Sequence, residues 1–276
     1  MFRLACQAST GGGRVNIRHE SGDGTVGKAL GVLDHVASVG RPVRFSELLE
    51  TSPHPKATLY RLLQTLVSQG MLSLDPETGT YTPGLRLVRL AHAAWSQSNL
   101  APIARPHLEA LAAEIGQTVH LAQLDSGQVL YLDKRGPARA VPMYSEAGKV
   151  GPAYCTGVGK AMLAHLPEPE LAAALDRQSW HRFTPSTITD ADAMRAELAA
   201  IRAAGHAFDR EEHEPGIACI AMPVLSPGGR VQGAVSVTGQ GLDKTRLLAH
   251  RPALAAAVER ISGALRDWRF PDQREG

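Results

Sequence analysis

Two stretches of the chain carry side chains whose types and spacing suit chemistry. The first is Lys56–Gln69, where Leu59, Leu62, Leu63, Leu66 and Val67 recur at helical spacing and leave a polar face of Lys56, Thr58, Tyr60, Arg61, Gln64 and Thr65. Arginine can hold guanine through two hydrogen bonds, glutamine can read adenine, and threonine and tyrosine hydroxyls suit phosphates. Pro55 just before the helix leaves the next N–H groups open to a phosphate, and Arg44 upstream is a second phosphate candidate. The second stretch is Thr156-Gly157-Val158-Gly159-Lys160-Ala161, which opens a helix. Free N–H groups at a helix start favour an anion, and glycines let it approach the backbone. The run fails as a nucleotide-phosphate loop, because Tyr154 stands where the first glycine belongs and Ala161 follows the lysine instead of Ser or Thr. A carboxylate fits better.

Other reactive side chains read more plainly. Ser236 and Thr238 are two apart and share one strand face, as a pocket wall requires; solvent-facing hydroxyls are the alternative. His213 beside Glu211, Glu212 and Glu214 could ligate a metal, but a solvated acidic loop is the favoured reading, and neither metal nor cofactor is expected. Cys155 and Cys219 read as small buried hydrophobes. A thiol-dependent enzyme using that pair is the competing function; it leaves the DNA-reading pattern unexplained.

The elements that must position these groups fall into two halves. A helix from Thr25 stops at Gly40, a short helix covers Ser46 to about Thr51, and Ser52-Pro53-His54-Pro55 turns the chain into Lys56–Gln69. Met71–Leu74 and Thr80–Pro83 then form a hairpin, which completes a winged helix-turn-helix over residues 25–84. Residues 85–100 read as a linker helix, and the helical pattern up to Gly116 is broken near Pro102 and Pro106. Residues 101–268 alternate strand pairs with helices: strands at Val119–Leu124, Val129–Lys134, Arg139–Tyr144, His206–Arg210, Cys219–Leu225 and Val231–Thr238, helices at Gly157–Leu166, Pro169–Leu175 and Asp190–Ala204, and one last helix from Asp243 to Trp268. That order predicts an α+β domain with a mainly antiparallel sheet. Residues 1–24 read as a flexible leader and 269–276 as a tail.

Composition limits the alternatives. Hydrophobic residues make up 43% of the 276, so a packed core is available and global disorder is excluded. The net charge is +2, too small to hold a polyanion by bulk charge. Residues 21–83 carry five Lys/Arg against six Asp/Glu. A single winged helix of that balance should bind one half-site weakly, so a dimer at least is expected on an inverted repeat in duplex DNA. No apolar run suits a membrane span or a secretory signal, and three cysteines are too few for a disulfide framework. A cytoplasmic protein is the expectation.

The motifs also carry a resemblance. Val26 to Gly84 is similar to the winged helix of isocitrate-lyase-regulator (IclR) type transcription factors, through Glu47-Leu48, Pro55 to Leu63, Leu66, Gly70 and Tyr81-Thr82-Pro83-Gly84. The second half resembles the family through Tyr144 to Gly148, Thr156 to Ala164, Thr187 to Asp190, Glu211 to Ala221 and Ser236 to Gly239, in the family's order. Pro53 departs from it, standing where the family usually has Gly. The resemblance implies a GAF-like effector-binding domain, dimers or tetramers on operators, and a small carboxylate as effector. By resemblance to the family's small-acid binders, Gly157 and Val158 would offer N–H groups, Asp209, Cys219, Ser236 and Thr238 would line the other side, and Met143 with Val158 would give apolar wall.

Overall fold

The computed structural model describes residues 24–97, 100–137 and 143–266. The chain divides into two compact units between Gln97 and Ser98. The expected leader up to residue 23 and the tail lie outside the described residues, as does most of the strand expected at Arg139–Tyr144, whose described end at Met143 and Tyr144 is not strand.

The first unit runs α1 (Thr25–Val39), β1 (Val43–Arg44), α2 (Phe45–Thr51), α3 (Lys56–Ser68), β2 (Leu72–Asp75), β3 (Thr80–Pro83) and α4 (Leu85–Gln97). The apolar stripes drive its packing: Val32, Leu33 and Val36 of α1 meet Leu59, Leu62, Leu63 and Leu66 of α3 in one cluster with Leu48, Leu72 and Tyr81. Gly40 ends α1 in the left-handed conformation, where glycine is favoured. The sheet order is β1-β3-β2, all antiparallel. The C-terminal end of α3 is tied to the start of α4. The Gly84 N–H donates to Met71 O at 2.8 Å and the Arg86 N–H to Gly70 O at 3.3 Å. The Arg86 guanidinium reaches Gln69 O at 3.0 Å. A Cβ on Gly84 would stand 2.2 Å from Gly70 O, so only glycine fits there.

The second unit runs α5 (Leu100–Ile115), β4 (Thr118–Asp125), β5 (Gln128–Arg135), β6 (Val150–Pro152), α6 (Gly157–Leu163), α7 (Glu168–Asp176), α8 (Ala191–Ala204), β7 (Ala207–Arg210), β8 (Ile217–Leu225), β9 (Val231–Gln240), α9 (Lys244–Ala249) and α10 (Arg251–Arg266). Its sheet is antiparallel throughout, in the order β6-β5-β4-β9-β8-β7. The register pairs His120 with Ser236 and Ser236 with Ala221, so these share a face with Ala122 and Ala234. That face, with α6, α7 and α8, forms one core around Met162, Leu163, Met194 and Tyr154. α5 and α10 cover the other face.

Prolines account for two departures from expectation. Pro106 lies inside α5 and does not break it, because buried Ala104, Leu108 and Leu111 hold the helix against the sheet. Pro102 falls in the first turn, where its missing N–H would have no partner. The last helix is two, α9 and α10, with His250 between them. Pro252 cannot donate to Leu248 O and its ring crowds that carbonyl.

Candidate functional site

The polar face expected to read DNA stands on α3. Lys56, Tyr60, Arg61, Gln64 and Thr65 are exposed and Thr58 is half-buried, while the leucine stripe opposite is buried. Tyr60 packs its ring edge against Phe45 at 6.1 Å. The Thr65 hydroxyl donates to Arg61 O at 2.9 Å, which commits that donor to the helix itself. Pro55 caps the helix start in extended conformation and its carbonyl accepts the Leu59 N–H. Arg44 is exposed at the start of α2. Its neighbour Arg41 is held by Glu47 at 2.6 Å.

In the second unit the sheet and α6 enclose a cavity of about 30 Å³. Every residue assigned to the effector by resemblance lines it. Gly157 and Val158 come from the start of α6, Asp209 from β7, Cys219 from β8, Ser236 and Thr238 from β9, and Met143 from the segment before β6. One water needs roughly 10–15 Å³ of such space, so a ligand beyond two or so waters requires side chains to yield. A second, wider groove of about 260 Å³ lies between Leu124, Met162, Leu166 and Val231. Its ionic side chains, Glu170 and Arg230, are exposed.

The cavity is organised by residues that sequence reasoning missed. His120 projects from β4 and is buried. Its Nε2 meets Ser145 Oγ at 2.8 Å, and its Nδ1 meets Thr238 Oγ1 at 3.2 Å and Ser236 Oγ at 3.4 Å. Burial lowers its pKa to about 3, so the imidazole is neutral and gives one donor and one acceptor. Asp209 is buried and its Oδ1 accepts the Glu212 N–H at 2.7 Å. Burial, then repulsion from Glu212, raises it to about 7. On α6, the fully buried Lys160 donates to Glu212 Oε1 at 2.5 Å and to Glu197 Oε1 at 3.3 Å. Glu212 Oε2 is buried with no hydrogen-bond partner.

Some expected roles change. The 211–216 loop is not a solvated acidic loop: Glu212 is 2% exposed, and the His213 ring packs on Phe183 at 4.7 Å and Tyr144 at 5.3 Å. Glu214 Oε1 accepts the Tyr144 N–H at 3.0 Å. The reason is Lys160, which draws Glu212 inward. The glycines of the 156–161 run also serve packing. A Cβ on Gly157 would lie 2.4 Å from Cys219 Sγ, and one on Gly159 2.3 Å from Ala153 O. A side chain at position 157 would therefore strike the β8 wall before any ligand. Thr156 donates to Pro152 O at 2.9 Å and leaves the first turn of α6 without a side-chain cap. Burial pushes the Cys219 thiol up to about 12 and raises Cys155 as well. Neither supplies thiolate at neutral pH, which removes the physical basis for a thiol enzyme.

Comparison with known proteins gives consistent matches over both units. The family profile described as the bacterial transcriptional regulator IclR C-terminal domain matches residues 92–264, and the IclR helix-turn-helix domain matches residues 25–76. The chain is 32% identical to the HTH-type transcriptional regulator XynR of Escherichia coli, over 87% of this chain and 96% of that protein. It is 29% identical to the transcriptional repressor IclR of Escherichia coli, over 77% of this chain and 78% of that protein. Among solved structures, the Thermotoga maritima IclR superposes with a TM-score of 0.68 at 30% identity, covering 87% of this chain and 98% of that one.

Proposed function

The chain belongs to the IclR family of DNA-binding transcriptional regulators, and on that premise we propose that a small carboxylate in the cavity controls its grip on an inverted-repeat operator. In this reading residues 25–84 read the operator, 85–100 connect, and 101–268 hold the effector. The observation that carries it is the convergence, in one cavity, of the uncapped start of α6, the hydroxyls of Ser236 and Thr238, and the neutral imidazole of His120. Hydroxyl and N–H donors anchored on strands and a helix can hold two carboxylate oxygens once neighbouring side chains yield the space. On DNA, Arg61 and Lys56 make base or phosphate contacts, with Arg44 on a flanking phosphate.

Ser236→Ala tests the effector half. Loss of one hydroxyl bonded to a charged group costs about 1.5–3 kcal/mol, roughly ten- to a hundredfold in affinity. Calorimetric titration with the acid that most raises the melting temperature should show that weakening, while gel shifts without effector stay as wild type. Wild-type acid affinity in Ser236→Ala would place the effector elsewhere.

A further inference from the structure

We propose that the cavity takes up its acidic effector together with one proton, which lodges on the carboxylate of Asp209, so that the site selects monocarboxylates over dicarboxylates. The inference rests on the acid-effector reading above and adds a stoichiometry and a selectivity to it.

The argument is a charge census of the groups that face Asp209. Asp209 and Glu214 line the cavity, and no Lys or Arg does among the described residues. From the loop after β7, Glu212 presses a second negative charge on Asp209, and Glu214 adds a weaker one. From α6, Lys160 is the cation that acts on Asp209, but its ammonium is bonded to Glu212 and to Glu197 of α8. Arg210, next along β7, is over half exposed and turned to Glu197 at 3.0 Å and to Glu212 at 3.9 Å. From β4, His120 is neutral because burial holds it uncharged, and from β8 and β5 the Cys219 thiol and the Tyr131 phenol keep their protons. His213 Nδ1 stands 3.8 Å from Glu214 Oε1 and belongs to that carboxylate.

From β5, Lys134 acts on His120 and Glu214 but is held by Glu146 at 2.6 Å, so an ionised acid entering this cavity meets negative charge with every nearby cation already paired. Burying an uncompensated charge is expensive, and the group that gives way is the one whose proton affinity is already raised. Asp209 is that group, poised near 7. A proton from solvent converts its carboxylate to a carboxylic acid, which becomes a hydrogen-bond donor toward the ligand. The net charge of the cavity is then unchanged by binding. Asp209 Oδ1 keeps the Glu212 N–H, so the loop need not move. A dicarboxylate would bring a second charge for which no further raised acid lines the cavity.

The test is calorimetry on the full chain in buffer pairs whose ionisation heats differ, Tris and HEPES at pH 8 and MES and bis-Tris at pH 6. Acetate, lactate and benzoate serve as monocarboxylate probes, succinate as the dicarboxylate, and ethylamine and glycerol as non-acids. For the tightest monocarboxylate, uptake should approach one proton at pH 8 and fall well below that at pH 6, with affinity falling up to tenfold per pH unit above pH 8. Asp209→Asn should bind that acid with no uptake and a flat pH profile, and succinate should bind wild type at least tenfold more weakly. Acid binding without uptake at pH 8, or uptake that persists in Asp209→Asn, overturns the proposal and leaves the acid effector standing. Binding by none of the carboxylates overturns the acid-effector reading itself.

Discussion

Lys160 is fully buried, and its two acidic partners lie 37 and 52 residues further along the chain. Removing the ammonium would strand Glu212, whose second oxygen already lacks a partner. Lys160→Met should therefore destabilise the second unit by about 3–5 kcal/mol, read from urea unfolding. Lys160→Met with Glu212→Gln should recover much of that, because the uncompensated charge is gone. Equal loss in single and double variants would mean that packing, not charge, holds α6 there. The same distances explain what the sequence left hidden. Ser236 and Thr238 are legible because a two-residue spacing fixes their shared face. His120 is not, since the hydroxyls that define it come from residues 25, 116 and 118 positions away. Glu212 was misread for the same reason: a run of acids looks solvated until a buried lysine from another helix claims one of them.

At the scale of elements, α6 lies so close to β8 that Gly157 and the Cys219 sulfur occupy adjoining space. Gly157→Ala forces the helix off the sheet and should destabilise the unit by about 1–3 kcal/mol. Adding Cys219→Ala removes the sulfur and leaves Ala221 Cβ as the next neighbour at 3.4 Å, an ordinary contact. The double variant should melt nearer to wild type than Gly157→Ala alone, in a thermal scan; no recovery would show that the sulfur is not what excludes a side chain. Elements with a local period were readable from sequence. α3 carries its stripe and its turn signals within one stretch, and α8 carries the Asp190 cap whose side chain accepts the Ala193 N–H. β1 and β6 were not, being two and three residues long and defined by partners across the sheet. Reading α9 and α10 as one helix gave the apolar spacing more weight than Pro252.

For the molecule as a whole, the first unit leaves apolar side chains uncovered. Leu85 is 82% exposed, Val88 64% and Leu90 49% on α4, with Val26 at 73% and Leu30 at 49% on α1. With so little net charge on the winged helix, pairing of two copies, as proposed, would supply the effective concentration that a single half-site contact lacks. Sedimentation at micromolar concentration should give at least twice the chain mass, and Leu85→Glu with Val88→Glu should lower it. A wild-type mass of one chain would refute the assembly. The joint at Gly84 bears on what such pairing does. Because the end of α3 and the start of α4 are bonded at Gln69, Gly70 and Met71, that joint couples a tilt of one helix to the other. Thirteen residues of α4 make an arm of about 20 Å. Displacing its far end by about 3 Å would tilt the arm by roughly 10° and turn α3, the helix proposed to read the operator, through the same angle.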